Sequence, residues 1–353
     1  MPILQHPVRP APRGAGRFRH PSEAPRWHLL GLQGRSRDDI LDLLDAADAC
    51  RVRLRAGGTP FDDLRGVTVV LAFFEDSTRT RVSFELAARH LGATVATLTA
   101  AGSSVSKGES LFDTMQNILA MGTDVVVVRH PSSGAPAFLA SQLDVSVVNA
   151  GDGRHEHPTQ GLLDLMTLRD VWNGRFEGRR LALVGDIAHS RVARSAIFGL
   201  VALGASVVVA GPNTLLPAEV ERLGCTVAPT VDQAMDGADA VMALRLQRER
   251  MDSGLLPSTG EFSKVWGITP ERVRLMNRDA KVLHPGPMNR GVEVATEVAD
   301  GERSVILDQV ENGVALRCAV LARCVEADVA MRRAQSGDHA GRPGADVAAR
   351  RLG

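Results

Sequence analysis

The sequence predicts an α/β protein with two doubly wound parallel-sheet domains that are joined by long helices. Two observations predict this class. Strand-like runs of valine and leucine alternate with helix-like segments, and this alternation stops and restarts once along the chain. Continuous apolar strands between helices are typical of parallel sheets that are covered on both faces. The length of 353 residues gives each of two domains room for a core.

The first series of elements contains four predicted helices and four predicted strands. The helices have apolar residues at helical spacing, and the strands are short apolar runs between turn residues. In chain order, helix before strand, the segments are "DDILDLLDAADACRVRL", "GVTVVLAFF", "RVSFELAARHLGA", "ATVATLT", "SLFDTMQNILAMG", "TDVVVVRH", "APAFLASQL" and "VSVVNAG".

A long predicted helix, "TQGLLDLMTLRDVW", leads to the second series. That series contains "RRLALVGD", "SRVARSAIFGLVALG", "ASVVVAGP", "ADAVMAL" and "AKVLHPGP". Ligands of such sheets bind at the carboxyl ends of the strands. Because the motifs described below follow these ends, we expect them to share one site in a cleft between the domains.

Composition and charge limit the classes of function. The formal net charge is zero, whereas a nucleic-acid-binding protein usually carries a basic surplus. The four cysteines are scattered, which favours buried thiols in a reducing compartment. No apolar run has membrane-spanning length and the N-terminus lacks a secretory apolar core, so we expect a cytoplasmic protein without membrane or nucleic-acid partners. Residues 1–25 and 334–353 are expected to be flexible tails.

The stretch "FFEDSTRT" places hydroxyl and guanidinium groups where a predicted strand turns into a helix. Ser77, Thr78 and Thr80 carry hydroxyls, and Arg79 carries a charged fork. Because a helix N-terminus attracts anions, this set suits a compact phosphate. The GxxxxGK[ST] pattern of a nucleotide P-loop is absent. Simple helix capping by Ser77 or Thr78 remains equally open from the residues alone.

Three later motifs also have ordinary alternatives. In "GDGRHEHPTQ", His155, Glu156 and His157 suggest a metal site, which we favour less because no further ligand clusters with them. The segment "VGDIAHSR" imitates a dinucleotide site, but GxGxxG is absent, so we reject NAD binding. The run "RLQRER" has the pattern of a solvated charged face.

Taken together, the motifs resemble one enzyme family. "FFEDSTRT" fits the signature F-x-[EK]-x-S-[GT]-R-T of aspartate and ornithine carbamoyltransferases at every fixed position. The similarity extends from about His28 to Ala330 and recurs, in order, in "GSSVSKGESL", "VVRHP", "GDGRHEHPTQGLLDL", "VGDIAHSRVARS", "LRLQRER" and "VLHPGPMNRG". It implies transfer of a carbamoyl group from carbamoyl phosphate to an amine, without a cofactor or a metal.

The resemblance also implies domains and an assembly. Residues 26–158 would form the carbamoyl-phosphate-binding domain, completed by a C-terminal helix of about residues 311–333, and residues 159–310 the aspartate-binding domain. The protein would be a homotrimer with shared active sites, in which the neighbouring subunit supplies Ser103 and Lys107. Whether a regulatory chain or a dihydroorotase binds the trimer, and whether nucleotides control it, is left open.

For carbamoyl phosphate, the resemblance assigns a binding set and a catalytic set. Arg129 would bridge the phosphate and the carbonyl oxygen, and His157 would donate to that oxygen. Gln160 would accept from or donate to the carbamoyl amide, while the carbonyls of Pro285 and Gly286 accept from it. The binding set is Ser77, Thr78, Arg79, Thr80, Ser103, Lys107, Arg129, His157, Gln160, Pro285 and Gly286. The catalytic set is Arg79, Thr80, Arg129, His157 and Lys107.

For the second substrate, Arg191 would bind the α-carboxylate of L-aspartate, and Arg245 and Gln247 its side-chain carboxylate, with Lys107 also in contact. Glu75 would bridge to Arg191 and Arg250 when the domains close. The chain has "HPGP" where ornithine enzymes usually carry "HCLP", and it lacks their "SMG" loop, which favours aspartate in pyrimidine biosynthesis. The alternatives are an ornithine-type carbamoyltransferase and a non-catalytic scaffold homologue.

Overall fold

The computed structural model describes residues 26–99, 108–247 and 258–335. The strands in this part of the chain are β1 Thr68–Phe73, β2 Thr94–Thr99, β3 Val125–His130, β4 Ser146–Asp152, β5 Arg180–Val184, β6 Ser206–Ala210, β7 Thr226–Val227, β8 Ala240–Ala243 and β9 Lys281–Leu283. The helices are α1 Arg37–Ala56, α2 Thr78–His90, α3 Leu111–Ala120, α4 Ala135–Gln142, α5 Pro158–Val171, α6 Arg191–Ala202, α7 Val231–Met235, α8 Thr259–Trp266, α9 Pro270–Val273, α10 Thr296–Ala299 and α11 Ile306–Gln335.

The strands form two parallel sheets, as the sequence predicts. The first sheet has the order β2-β1-β3-β4, and the second has the order β7-β6-β5-β8-β9. All pairs of these strands run parallel. The strand numbering along each sheet changes direction once. This reversal of order lies between β1 and β3 in the first sheet and between β5 and β8 in the second. The predicted fold class, two doubly wound α/β units, is therefore confirmed.

Alternate residues of the strands pack in different hydrophobic cores. Val127 in β3 and Leu183 in β5 lie in one central core, whereas Val126 and Val184 lie in two separate outer cores. Successive side chains of a strand point to opposite faces, so this division shows that both faces of each sheet are covered. The central core is continuous across the two sheets, and apolar packing therefore joins the domains.

Two helices connect the domains. α5 packs on α6 and α11, and α11 also packs on α1 and α2. The last helix is longer than the predicted range of about residues 311–333, since α11 spans Ile306–Gln335. The chain pairs with β9 at Ser304 and enters the helix directly. At the other end, "AMRRAQ" consists of strong helix formers, which continue the helix.

The cysteines and the helices bear on two further expectations. Cys50, Cys225, Cys318 and Cys324 are free and buried, which confirms the prediction of buried thiols. Across the described segments, no helix combines the length and the apolar character that crossing a membrane requires.

Candidate active site

A cavity of about 670 Å³ is lined by residues of both domains. Its walls come from the loops that follow β1, β5, β8 and β9, from the end of β3, from the first turns of α2, α5 and α6, and from the first half of α11. β1 and β3 flank the reversal of order in the first sheet, and β5 and β8 flank it in the second. Ligands of doubly wound sheets bind at such reversals, and here the two reversals share one cavity.

All predicted site residues in the described part of the chain line this cavity. They are Glu75, Ser77, Thr78, Arg79, Thr80, Arg129, His157, Gln160, Arg191, Arg245, Gln247, Pro285 and Gly286. Ser103, Lys107 and Arg250 lie outside the described residues. The expected gathering of arginines and hydroxyls is therefore present, while the role of each residue stays a prediction.

The start of α2 bears on the choice between phosphate binding and simple capping. Ser77 is the N-cap residue, but its side chain makes no capping hydrogen bond, whereas Ser190 at the start of α6 accepts from the Ala193 amide. The Ser77 side chain instead lines the cavity. The first N–H groups of a helix have no partner inside the helix, and four helices in the described part of the chain, α2, α5, α6 and α11, begin at this cavity. Their positive ends favour an anion there.

The side chains add a second source of positive charge. Among the described residues, five arginines line the cavity, together with two carboxylates, Glu75 and Asp76. The arginines are Arg79, Arg129, Arg191, Arg245 and Arg317. Because like charges so close together repel, this lining is more stable with anions bound than without them.

Burial and nearby cations lower the pKa values of two residues of the cavity, Arg79 and His284. The pKa of Arg79 is lowered, first because the cavity wall removes water from its guanidinium and second because Arg245 repels it. Burial, with Arg79 and Arg245 as further causes, lowers the pKa of His284 to about 3. His284 is therefore neutral at physiological pH.

The loop after β9 approaches Arg79 closely. A Cβ atom on Gly286 would lie 2.9 Å from the Arg79 Cζ atom, and the φ angle of Gly286 is +62°. The peptide bond between Gly286 and Pro287 is cis. The Gly286 amide donates to His284 Nδ1 at 2.8 Å. A side chain at residue 286 would displace the Arg79 guanidinium, and the positive φ angle favours glycine there.

Glu75 joins two of the arginines. Its Oε1 atom accepts from Arg129 Nη2 at 2.8 Å and from Arg191 Nη2 at 2.6 Å, and its Oε2 atom accepts from Arg191 Nη1 at 3.0 Å. Arg191 also donates to the Gly153 carbonyl at 3.3 Å. A guanidinium has five N–H donors, so these described bonds leave two for a ligand.

The "HEH" motif does not have the geometry of a metal site. Glu156 is fully buried and accepts from the Leu32 amide and from Ser195 Oγ, while His155 pairs with Asp152. Within residues 26–99, 108–247 and 258–335, no three His, Cys, Asp or Glu side chains are grouped so that they could hold a metal ion.

The position of His157 depends on the same buried glutamate. The His157 amide donates to Ser195 Oγ at 2.9 Å, and that hydroxyl donates to Glu156 Oε2 at 2.8 Å. Glu156 thereby fixes the start of α5, while the side chain of His157 lines the cavity. Glu156, the middle residue of "HEH", therefore positions His157.

The cavity contains residues to which the sequence analysis assigned no role. His284 follows β9, and Gln309 and Arg317 come from α11. His284 stands inside a quoted motif and could have been found there. Gln309 and Arg317 belong to no motif; the only available signal was that they are polar residues on the buried side of a helix.

Comparisons with known proteins agree with this geometry. Residues 27–170 match the family model described as "Aspartate/ornithine carbamoyltransferase, carbamoyl-P binding domain". Residues 177–324 match the model described as "Aspartate/ornithine carbamoyltransferase, Asp/Orn binding domain". These two matches cover most of the chain.

Curated relatives are similar over almost their whole length. The chain is 54% identical over 297 residues to an aspartate carbamoyltransferase catalytic subunit of Sorangium cellulosum, covering 84% of this chain and 92% of the relative. It is also 54% identical over 297 residues to that of Myxococcus xanthus, covering 84% of this chain and 99% of the relative.

Solved structures share the fold. An aspartate transcarbamoylase of Trypanosoma cruzi in complex with carbamoyl phosphate aligns with a TM-score of 0.75 at 31% identity, covering 85% of this chain and 96% of that chain. An ornithine carbamoyltransferase of Pyrococcus furiosus aligns with a TM-score of 0.74 at 29% identity, covering 84% and 96%. The chain belongs to the aspartate/ornithine carbamoyltransferase family.

Proposed function

We propose that this protein transfers the carbamoyl group of carbamoyl phosphate to the α-amine of L-aspartate, giving N-carbamoyl-L-aspartate and phosphate, in pyrimidine biosynthesis. The observation that carries the proposal is one cavity, at the reversals of both sheets, which five arginines and two carboxylates of the described residues line. Both substrates are anions that would repel each other in water, and such a lining lowers the cost of bringing them together. The names of the curated relatives support the same reaction.

Carbamoyl phosphate would bind at the end of the first sheet. Its phosphate would accept from the start of α2 and from Ser77, Thr78, Arg79 and Thr80, which line the cavity there. Arg129, at the end of β3, would bridge the phosphate and the carbonyl oxygen. These contacts place the leaving group at the positive end of a helix.

The chemical step needs no nucleophile from the protein. The lone pair of the aspartate amine forms the new C–N bond, the C–O bond to the phosphate breaks, and the proton lost by the nitrogen leaves with the phosphate. Negative charge develops on the carbonyl oxygen, where Thr80, Arg129 and His157 would donate hydrogen bonds. Holding both reactants in this geometry would supply most of the remaining acceleration.

The choice of acceptor depends on charge, because the fold does not decide it. The ornithine and aspartate enzymes named above align almost equally well. Arg191 would bind the α-carboxylate, and Arg245 and Gln247 the side-chain carboxylate; Arg245 lies close enough to repel Arg79. The side-chain ammonium of ornithine would be repelled there, so the cavity favours a diacid.

We also propose a homotrimer in which Ser103 and Lys107 of one subunit complete the site of its neighbour. The segment that carries them begins where β2, the edge strand of the first sheet, ends. Mixing two inactive variants, Lys107→Ala and Arg79→Ala, tests this idea, because hybrid trimers would regain some intact sites. If mixtures stay inactive, or if light scattering finds a monomer, shared sites are wrong. The cytoplasmic location and a regulatory or dihydroorotase partner stay predictions.

One assay tests the reaction. Purified protein is given carbamoyl phosphate with L-aspartate or with L-ornithine, and phosphate release and the carbamoylated product are measured. We expect release with aspartate and none above the amine-free blank with ornithine. Release that is equal in the blank, or larger with ornithine, would contradict the proposal.

A further inference from the structure

Four polar groups beneath the cavity form a chain of hydrogen bonds, which we call the amide relay: the His284 amide, Gln309, Asp164 and Gln160. The His284 backbone N–H donates to Gln309 Oε1 at 3.0 Å. Gln309 Nε2 donates to Asp164 Oδ1 at 2.7 Å, and Gln160 Nε2 donates to the same oxygen at 2.9 Å. The relay connects the loop after β9, α11 and α5.

The relay is built into the protein interior. Asp164 is 1% exposed, Gln309 is 2% exposed and Gln160 is 9% exposed. Asp164 Oδ2 is buried and has no hydrogen-bond partner among the described residues. Burial raises the pKa of Asp164 to about 7, while the hydrogen bonds from Gln309 and Gln160 and the positive charge of Arg317 favour its carboxylate form. Burying a charged carboxylate costs free energy, so the presence of Asp164 here needs an explanation beyond packing.

The orientation of the side-chain amides in the relay is fixed by the His284 backbone N–H. A side-chain amide can exchange its oxygen and nitrogen by rotating, but a backbone N–H is only a donor. The His284 amide therefore holds Gln309 Oε1, which turns Gln309 Nε2 towards Asp164. Asp164 Oδ1 then acts as the acceptor, so the nitrogen of Gln160 faces it. The oxygen of Gln160 is left for the cavity that this residue lines.

We propose that Asp164 is a positioning residue that makes Gln160 present its carbonyl oxygen to the ligand, so that the site selects an acyl phosphate bearing an NH₂ group. This inference rests on the proposed binding of carbamoyl phosphate and goes beyond it. It decides between the two roles that the sequence left open for Gln160, acceptor or donor. A methyl group in place of the NH₂ group has no N–H to give.

The relay makes a specific prediction about ligand choice. Carbamoyl phosphate and acetyl phosphate differ only in NH₂ against CH₃, so the ratio of their dissociation constants measures the hydrogen bonds of the NH₂ group. A change in this ratio when the relay is altered measures the contact with Gln160. One lost hydrogen bond of this kind weakens binding about tenfold. A change in phosphate binding would instead weaken both ligands alike.

The experiment compares Asp164→Leu with Asp164→Asn by calorimetric titration of each ligand without an amine. Both variants lose the charge beside Arg317, but only asparagine keeps an acceptor for the two glutamines. We expect Asp164→Leu to weaken carbamoyl phosphate about tenfold and acetyl phosphate less than about twofold. Asp164→Asn should keep the parental ratio. In a Gln160→Ala background, Asp164→Leu should no longer change the ratio.

Other outcomes would overturn the proposal. If Asp164→Leu weakens both ligands equally, or neither, Asp164 does not position Gln160. Should this variant fail to fold, Gln160→Ala removes the proposed acceptor oxygen itself, and an unchanged ratio in that variant would be equally decisive. A parental protein that binds carbamoyl phosphate but does not carbamoylate aspartate would contradict the proposed function and leave the role of Asp164 standing.

Discussion

Glu75 and Arg191 form a two-bond ion pair between the domains, with Oε1–Nη2 and Oε2–Nη1 distances of 2.6 Å and 3.0 Å. Glu75 follows β1 of the first sheet, and Arg191 begins α6 beside the second. The same carboxylate accepts from Arg129 at 2.8 Å. Glu75 therefore aligns Arg129, which is proposed to bind the carbonyl oxygen, with Arg191, which is proposed to bind aspartate.

Removing this carboxylate should affect turnover more than the first binding step. For Glu75→Ala we expect kcat to fall about 10- to 100-fold, because Arg191 loses the bond that fixes it across the domains. Carbamoyl phosphate binding, measured by titration, should change little. Glu85→Ala is the control, since Glu85 pairs with Arg89 on the exposed side of α2. Unchanged turnover in Glu75→Ala would remove the closure role.

Arg79 and Arg81 offer a matched test of phosphate binding. They lie in the same turn of α2, but only Arg79 lines the cavity. We expect Arg79→Ala to lower kcat by about 10² to 10³, since charge on the departing phosphate loses its main donor. Arg81→Ala should stay within about twofold under the same steady-state assay. Near-normal activity of a folded Arg79→Ala protein would refute the assignment.

Substitutions at two glycines with positive φ distinguish the effect of backbone strain from an effect on the candidate site. Gly286 has a φ angle of +62° and contacts Arg79, whereas Gly291 has a φ angle of +76° and no atom within 4 Å of the position that a Cβ atom would take. Alanine at either residue should cost about 1–2 kcal/mol of unfolding free energy. Only Gly286→Ala should also raise the KM for carbamoyl phosphate, because its methyl group displaces Arg79. Equal kinetics in the two variants would show that this contact is unimportant.

The lowered pKa of His284 predicts a pH dependence of stability. Its pKa is about 3 in the folded protein and 6.5 in the unfolded chain. Between these values the unfolded chain binds a proton that the folded protein does not, so His284 lowers stability as the pH falls. From pH 7 to pH 5 we expect the parental protein to lose roughly 1–2 kcal/mol more than His284→Asn.

Urea unfolding at the two pH values measures this difference. Asparagine at residue 284 keeps an acceptor for the Gly286 amide and removes the titration. Asp164 acts in the opposite direction, because burial raises its pKa to about 7 and its contribution to stability is lost as the pH rises from 3.8. It is present in both proteins, so the difference isolates His284. Parallel losses in the two proteins would contradict the prediction.

Some short helices were not predicted, although the sequence contains a signal for them. α7, α8 and α9 are too short for a clear apolar period. Their starts carry a local signal, however, since Thr230, Ser258 and Thr269 each accept from the amide three residues later. Ser258 and Glu261 even have the spacing of a capping box. The cap residues predict these helices better than the apolar pattern does.

The sequence by itself determined the alternation of strands and helices and the residues at the strand ends. Both are local properties, because apolar spacing sets the period and a strand end carries its loop with it. Only the tertiary structure decided that Glu75 pairs with Arg191, that α11 brings Gln309 and Arg317 to the cavity, and that Gln309 donates to Asp164. These contacts join residues far apart in the chain, and a hydrogen bond exists only where folding brings donor and acceptor within about 3 Å.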